Sequence, residues 1–182
     1  PQGYGLVLRQ GGRVKRVVED LDATDDEKKV AEINTSIYCF EAERLWATLA
    51  EVKPDNDQGE YYLTDVIGIL NRRGARVEGL PVQDPREALG VNDRKQLAVA
   101  AAVQRARILD RLMEAGVTVL DPATTYIEDM VTIGADTVIY PHVVIEGASV
   151  IGSDCVIGAG SHLTRTTLGE RVHLRPYCIT TD

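Results

Sequence analysis

The side chains that could carry chemistry are few, and each stands at a distinct place in a predicted secondary-structure element. Glu19 ends a predicted strand, where its carboxylate either accepts hydrogen bonds from a ligand or simply faces solvent. Asn34 lies in an apolar segment, and an interior amide must be satisfied, so a structural hydrogen bond to a neighbouring loop is its ordinary explanation. Asn92 precedes Asp93, and either side chain can cap the helix that follows. These residues alone specify no reaction.

The composition argues against several classes of function. The net charge of −8 is opposite to that of a general nucleic-acid binder, although a small anionic ligand needs only a few local donors. No apolar run approaches the roughly 20 residues that span a bilayer, and residues 1–5 lack the features of a signal peptide. The three cysteines form no closely spaced pair, which favours free thiols in the cytoplasm. We therefore expect neither a nucleic-acid partner nor a membrane partner.

The C-terminal part of the chain repeats with a period of six residues. The aliphatic positions are Ile127, Ile133, Ile139, Ile145, Ile151, Ile157 and Leu163, followed, after a slip of one residue, by Leu168 and Leu174. A period of six suits a triangular coil in which every hexapeptide makes one short parallel strand and one corner. The pattern predicts about three coils of a parallel β-helix over residues 127–178. Glycine directly after an aliphatic position is expected to permit the backbone of the corner, and the histidines are expected at the surface: His142, His162 and His173.

The preceding part indicates an α/β fold. The predicted elements are a hairpin over residues 4–19 that turns at Gly11-Gly12, a strand over 32–40, helices over 41–51 and 64–71, a short strand over 77–82 and a helix over 94–115. This part contains no GxGxxG motif and no P-loop. Either the protein binds no nucleotide, or the first strands of a nucleotide-binding domain are missing from this chain. The expected division is an α/β part over 1–93, a linker helix over 94–116 and the β-helix over 117–182.

Several segments resemble one family. They are Tyr4-Gly5, Val18-Glu19, Asp22-Ala23-Thr24, Glu32-Ile33-Asn34-Thr35, the block from Asn56 to Asp65, Gly90-Val91-Asn92-Asp93-Arg94, Ala115-Gly116-Val117 and Asp121-Pro122. Together they resemble the second half of the bifunctional N-acetylglucosamine-1-phosphate uridyltransferase and glucosamine-1-phosphate acetyltransferase. The resemblance covers essentially the whole chain. It implies the second half of a Rossmann-like nucleotide-diphospho-sugar transferase domain, followed by a left-handed β-helix.

The resemblance also implies an activity and a set of site residues. The family makes UDP-N-acetylglucosamine, a peptidoglycan precursor, and pyrophosphate from UTP and N-acetylglucosamine 1-phosphate, using Mg²⁺. Its β-helix domain uses acetyl-CoA and commonly forms homotrimers. By resemblance, the Gly5 backbone approaches the sugar, Glu19 accepts hydrogen bonds from it, and Asn34 both donates and accepts. Asn92 resembles the residue that offers Mg²⁺ its side-chain oxygen.

The chain departs from the family pattern at two positions, since Leu21 stands where lysine is common and Ser36 where glycine is common. The family's phosphate loop and metal-binding aspartate lie before Pro1, and its acetyltransferase residues lie after Asp182. The chain alone is therefore expected to be inactive. Two alternatives remain open: a non-catalytic module in which the coils drive trimer formation, and a nucleotidyltransferase for another sugar 1-phosphate.

Overall fold

The computed structural model describes residues 3–181 and separates the chain into two units, the first ending at Gly90 and the second beginning at Val91. The first unit contains a two-stranded antiparallel sheet of β1 (Leu6–Gln10) and β2 (Arg13–Val18). The turn between the strands is made by Gly11 and Gly12, which both have positive φ angles, so the predicted hairpin is confirmed.

Two α-helices complete the core of the first unit. They are α1 (Ala42–Leu49), which lies within its predicted segment, and α2 (Asp65–Arg72), which extends one residue beyond its predicted segment. Single turns of 3₁₀ helix lie at Asp20–Asp22, Glu27–Lys29 and Pro85–Ala88. Helix α2 packs on β2 because Ile67 meets Val14 and Val17 in one buried cluster. This packing holds the start of α2 against the hairpin.

The predicted strand over residues 32–40 is wrong beyond its first residues. The segment forms only an isolated antiparallel bridge, in which Ile33 pairs with Leu6. Its backbone bonds to the hairpin are Val7 N to Glu32 O at 3.0 Å and Asn34 N to Gly5 O at 2.7 Å. Ser36 then takes a left-handed backbone with φ of 60°, which ends the extended conformation. The apolar, β-branched composition of the segment gave no sign of this bend.

The predicted short strand over residues 77–82 is also wrong, because the structure has irregular backbone there. Pro81 has no backbone N–H to donate to a ladder, and Gly79 weakens a strand. Gly79 instead lies close to Val14, and a Cβ built on it would be 3.1 Å from Val14 Cγ2. The segment therefore covers the hairpin without pairing with it.

The second unit begins with α3 (Arg94–Glu114), which confirms the predicted long helix. The strands that follow are β3 (Thr118–Val119), β4 (Tyr126–Ile127), β5 (Thr132–Ile133), β6 (Val138–Ile139), β7 (Val144–Glu146), β8 (Val150–Ile151), β9 (Val156–Ile157), β10 (His162–Thr164), β11 (Thr167–Leu168), β12 (His173–Leu174) and β13 (Ile179–Thr181). Every third strand pairs in parallel, which gives three sheets: β3-β6-β9-β12, β4-β7-β10-β13 and β5-β8-β11. The predicted left-handed parallel β-helix is confirmed.

The β-helix has about four turns, one more than the repeat predicted, because the first coil begins at Thr118, before the first aliphatic position of the pattern. The aliphatic ladder fills its interior, and Ile139, Ile145, Ile157 and Leu163 are fully buried. Helix α3 contributes Ile108, Leu109 and Leu112 to the same cluster. The last two turns of the helix thus cover apolar side chains of the first coil.

The glycines after the ladder positions have a different role from the one expected. Gly134, Gly152, Gly158 and Gly169 are absent from the set of residues with positive φ. At three of them an added Cβ would collide with the backbone of the next coil; for Gly152 it would lie 2.6 Å from Gly169 C. The left-handed corner positions are Asp136, His142, Gly147, Asp154, Gly160, Arg165, Arg171 and Tyr177. Gly134, Gly152 and Gly158 therefore permit close stacking of the coils, whereas the left-handed backbone of the corners lies at other positions.

Candidate functional site

Three of the residues predicted for the sugar site are neighbours in the first unit. Leu6 pairs with Val18 in the hairpin, so Gly5 and Glu19 follow directly at the open end of the ladder. The backbone bond from Asn34 N to Gly5 O brings the third segment alongside. A Cβ built on the buried Gly5 would lie 3.4 Å from Glu19 Oε2 and 3.5 Å from Asn34 Cβ. Residues 5, 19 and 34 therefore meet at one end of the hairpin.

Gly5 also has a structural reason to be glycine. The same added Cβ would be 3.1 Å from Val17 Cγ1, which is closer than ordinary van der Waals contact. A side chain here would press on the hairpin core and on the Glu19 carboxylate. The family resemblance explains the glycine by a sugar that approaches the backbone. Crowding by Val17 and Glu19 within the protein is a second reason for glycine at this position.

The two oxygens of Glu19 have different surroundings. Oε1 accepts a hydrogen bond from the hydroxyl of Thr64 at 2.9 Å, and Thr64 is only 6% exposed. Oε2 faces Gly5, where it would lie 3.4 Å from a Cβ added to that residue. Glu19 itself is half-buried. The carboxylate is thus tied to the protein by one oxygen and turned towards Gly5 by the other.

Asn34 takes part in structural hydrogen bonds. Its Nδ2 donates to Tyr38 Oη at 2.6 Å, and its Oδ1 accepts from Ser36 N at 3.3 Å. An asparagine amide has two donors and two acceptor lone pairs, so capacity for a ligand remains on both atoms. Burial raises the pKa of the Tyr38 hydroxyl, the hydrogen bond from Asn34 opposes this, and the charge of Glu19 adds to it. Tyr38 is therefore a neutral hydroxyl beside both residues at neutral pH.

The loop before α2 lies against the same group of residues. Asp57 N donates to Asp22 Oδ1 at 3.2 Å, which ties the loop to the 3₁₀ turn after Glu19. Burial and the neighbouring Asp22, Glu60 and Glu19 carboxylates raise the pKa of the Tyr62 hydroxyl. The block that carries the strongest family resemblance is thus positioned next to Glu19.

Asn92 lies in the second unit, is exposed, and stands two residues before the start of α3. The helix cap is Asp93, whose Oδ1 accepts from Gln96 N at 2.7 Å, while Asn92 N donates to Gln96 Oε1 at 2.5 Å. The choice left open between Asn92 and Asp93 as the cap is therefore resolved for Asp93. Within residues 3–181, no group of three or more His, Cys, Asp or Glu side chains could hold a metal ion.

Residue-by-residue reasoning missed Thr64 and Tyr38 as members of this group. The sequence placed Thr64 in a helix and Tyr38 in a strand, and neither position signals a long-range hydrogen bond.

The two departures from the family pattern lie in the same unit: Leu21 is 68% exposed on the 3₁₀ turn after Glu19, and Ser36 adopts a positive φ. The backbone at Ser36 is one that glycine adopts without cost.

The three histidines of the β-helix lie at its surface. His142 and His173 are exposed, and His162 Nε2 lies 2.9 Å from Glu146 Oε2 on the outer surface of the coils. The cysteines are all free, with Cys155 buried in the coil interior. In the described part of the chain, no helix has the length and apolar character needed to cross a membrane.

Comparisons with known proteins agree with the repeat and with the resemblance. The family model described as bacterial transferase hexapeptide (six repeats) matches residues 130–165. Proteins named bifunctional protein GlmU match nearly the whole chain. The protein of Shouchella clausii is 50% identical over 175 residues, or 96% of this chain, and that of Brevibacillus brevis is 50% identical over 171 residues, or 93%.

The chain is similar to a segment of GlmU. This confirms the resemblance predicted from the sequence. A third GlmU, from Acetivibrio thermocellus, is 48% identical over 176 residues, 96% of this chain. The chain spans only 38%, 37% and 38% of the lengths of these three relatives. The match therefore covers both units of this chain but less than half of each GlmU protein.

Proposed function

We propose that this chain forms the sugar-binding part of a uridyltransferase site and the first coils of an acetyltransferase domain. The reaction at the first site joins N-acetylglucosamine 1-phosphate to the α-phosphorus of UTP and releases pyrophosphate, giving UDP-N-acetylglucosamine. The second activity uses acetyl-CoA. The observation that carries the proposal is the convergence of Gly5, Glu19 and Asn34 at one end of the hairpin.

The chemistry of this cluster suits a sugar. A carboxylate oxygen accepts hydrogen bonds from hydroxyl or amide N–H groups, and an asparagine amide both donates and accepts. Transfer of a phosphoryl group depends mainly on positioning and on charge neutralisation. The role of Glu19 and Asn34 is therefore to orient the sugar so that its phosphate oxygen faces the α-phosphorus. In this proposal the residues of the chain act by positioning the sugar phosphate.

For the metal, we propose that Asn92 gives one oxygen ligand to Mg²⁺. The proposal is supported by the cap of α3, since Asp93 performs the capping and the Asn92 side chain is not used for it. Because Mg²⁺ usually keeps water and binds substrate phosphates, we expect these groups among the remaining ligands. UTP, UDP-N-acetylglucosamine and the sugar phosphate are the expected partners of the first site.

For the β-helix, we propose homotrimer formation and a contribution to an acetyl-CoA site. The match to the bacterial transferase hexapeptide supports the acyltransferase class. Free thiols are typical of a reducing compartment, which supports a cytoplasmic location. The size of the assembly is measurable by light scattering, where a mass other than three chains would contradict the trimer.

An exchange experiment tests the uridyltransferase site. In the Shouchella clausii protein, the segment matched by this chain is replaced by this chain, and pyrophosphate release from UTP and N-acetylglucosamine 1-phosphate is measured. Glu19→Gln and Asn34→Ala are each expected to lower kcat/KM about tenfold or more, because each removes a hydrogen bond to the sugar. Glu43→Gln, an exposed carboxylate on α1, is the matched control and is expected to change little.

The same chimera tests the metal role and the substrate. Asn92→Ala is expected to lose Mg²⁺-dependent activity while remaining folded, and Asn92→Asp to keep an oxygen ligand and part of the activity. Unaltered metal dependence in Asn92→Ala would contradict its role as a ligand. Tighter binding of UDP-glucose or GDP-mannose than of UDP-N-acetylglucosamine would contradict the sugar assignment. The 182-residue chain by itself is expected to release no pyrophosphate from UTP.

A further inference from the structure

We infer that Thr64 is a positioning residue that fixes the direction of the Glu19 carboxylate. The inference rests on the proposed sugar site, but its structural part can be tested without any ligand. The direct observation is the 2.9 Å hydrogen bond from Thr64 Oγ1 to Glu19 Oε1, which joins residues 45 positions apart.

The hydroxyl of Thr64 is used differently from what its place in the chain predicts. Thr64 occupies the N-cap position of α2, where a threonine side chain ordinarily accepts a hydrogen bond from a helix N–H. Here it makes no such bond, and its backbone has helical angles, with φ of −60° and ψ of −26°. The single hydroxyl proton is instead donated to Glu19. A capping contribution to α2 is thus replaced by a bond to the residue that follows β2.

Thr64 is itself held firmly, so it can act as a fixed reference point. It is 6% exposed and is followed in α2 by Val66, which is fully buried, and by Ile67, which packs on β2. Glu19 directly follows Val18, the last residue of β2. The hydrogen bond therefore links the end of a strand to the start of the helix that packs on that strand.

The consequence lies in which oxygen faces the site. A glutamate side chain has several staggered rotamers of similar energy, and burial of a long side chain without an anchor restricts it only in part. With Oε1 held by Thr64, Oε2 is directed to the space above Gly5, where a Cβ would approach it to 3.4 Å. Without the Thr64 hydroxyl, Glu19 would sample other rotamers, and only a fraction of molecules would present an acceptor to the sugar.

The size of the effect follows from that fraction. An apparent dissociation constant rises in inverse proportion to the population of the binding-competent state. If loss of the anchor leaves Glu19 correctly placed in about a tenth to a third of molecules, binding weakens by about threefold to tenfold. Thr64→Val removes the hydroxyl and preserves the shape of the side chain, whereas Thr64→Ser preserves the hydroxyl.

The experiment uses NMR on the 182-residue chain, with N-acetylglucosamine 1-phosphate as the titrated probe. Two quantities are measured. The first is the rotamer of Glu19, from its three-bond side-chain scalar couplings and its nuclear Overhauser contact to the Gly5 α-protons. The second is the dissociation constant of the sugar phosphate, from the chemical-shift change of the Gly5 amide during the titration. We expect Thr64→Val to average the Glu19 couplings and to weaken binding about threefold to tenfold. Thr64→Ser is expected to restore both quantities.

Thr48→Val is the matched control. Thr48 is also buried, and it donates its hydroxyl to Arg44 O at 2.7 Å rather than to Glu19. This variant is expected to leave the Glu19 couplings and the dissociation constant unchanged, even if it lowers the melting temperature. An equal loss of sugar binding in Thr48→Val and Thr64→Val would assign the effect to general destabilisation and overturn the inference.

The remaining outcomes separate the inference from the proposed function. If the Glu19 couplings already average in the unsubstituted protein, or stay fixed in Thr64→Val, Thr64 does not position Glu19. If the couplings respond to Thr64→Val but the sugar phosphate shifts no resonance of Gly5 in the unsubstituted protein, the positioning stands and the sugar site fails. The first measurement needs no variant, so a failure of Thr64→Val to fold does not prevent the test.

Discussion

Gly152→Ala offers the sharpest test of how the coils stack. Gly152 and Gly169 both follow ladder residues that pair in register, Ile151 and Leu168. A Cβ on Gly152 would lie 2.6 Å from Gly169 C and 2.7 Å from Glu170 N. A Cβ on Gly169 would meet nothing within 4 Å in the described chain. The same substitution at the two equivalent positions should therefore have opposite consequences.

The magnitude follows from the distance that must be gained. Ordinary contact begins at 3.4 Å, so the Gly152 methyl is about 0.8 Å too close to atoms of the next backbone. Those atoms cannot turn away as a side chain would, because parallel strands are held about 4.8 Å apart by their hydrogen bonds. Overpacking of this kind costs about 2–3 kcal/mol. For a unit of this size, that corresponds to a fall in melting temperature of about 10 °C or more.

Gly169→Ala provides the matched control. Its backbone has no positive φ, so alanine fits without strain and reduces the entropy of the unfolded chain. A change between zero and about 1 kcal/mol of stabilisation is expected. Calorimetry on the 182-residue chain gives the melting temperatures, and hydrogen exchange locates the loss. Because a repeat contacts mainly its neighbours, faster exchange in Gly152→Ala should be concentrated in β11, β12 and β13.

The reasoning would be refuted if the two variants melted within about 2 °C of each other. It would also be refuted if exchange increased first at β3 and β4, which belong to the preceding coil, on the opposite side of the substitution from β11. Either result would mean that glycine after a ladder position is not required for close approach of the coils.

Three further changes have defined outcomes. Thr137→Val should lower the free energy of unfolding by about 1–3 kcal/mol in denaturant titration, because the buried Cys155 N–H loses its 3.0 Å acceptor; an unchanged midpoint would contradict this. Ser36→Gly should raise stability by up to about 1 kcal/mol, because the left-handed backbone no longer strains a side chain, whereas Ser36→Ala should give no gain in the same titration. The hydrogen bond and charge of Arg9 lower the pKa of Glu32 from its ordinary 4.5, so this carboxylate stabilises the fold above pH 4.5 and loses that contribution as the pH falls further. Glu32→Gln should therefore flatten the acid side of the stability profile, and an identical profile would show that the pair contributes nothing.

The β-helix could be predicted from the sequence because its repeat couples each residue to one place in the coil. A six-residue period leaves little freedom in where Ile139 or Ile157 can lie, and the structure buries both completely. The repeat gave one coil too few because Thr118 and Val119 precede the regular pattern, although the expected β-helix boundary at residue 117 included them; their place in a coil is defined by pairing with Val138 and Ile139. Pairing of this kind is not visible in a single strand of two residues.

The first unit was harder to predict because its contacts join distant segments. The hairpin and the helices carry local signals, such as Gly11-Gly12 and the spacing of apolar residues. The segment after Glu32 has the composition of a strand, yet its extended conformation ends at a bend at Ser36. No neighbouring residue indicates this bend. The partner of Glu19 was equally hidden, since a hydrogen bond to Thr64 depends on how α2 packs on β2.

The one-residue slip between Leu163 and Leu168 has a consequence for changes in chain length. Despite the shorter spacing, Leu163 still pairs with Ile145, and Leu168 still pairs with Ile151. The missing residue is taken up at the corner near Arg165, where Thr166 N donates to the hydroxyl of Ser149 at 3.0 Å. The sheets rather than the residue count keep the coils aligned. This corner is accordingly the place where a loop or a peptide tag could be inserted while the strands on both sides keep their partners.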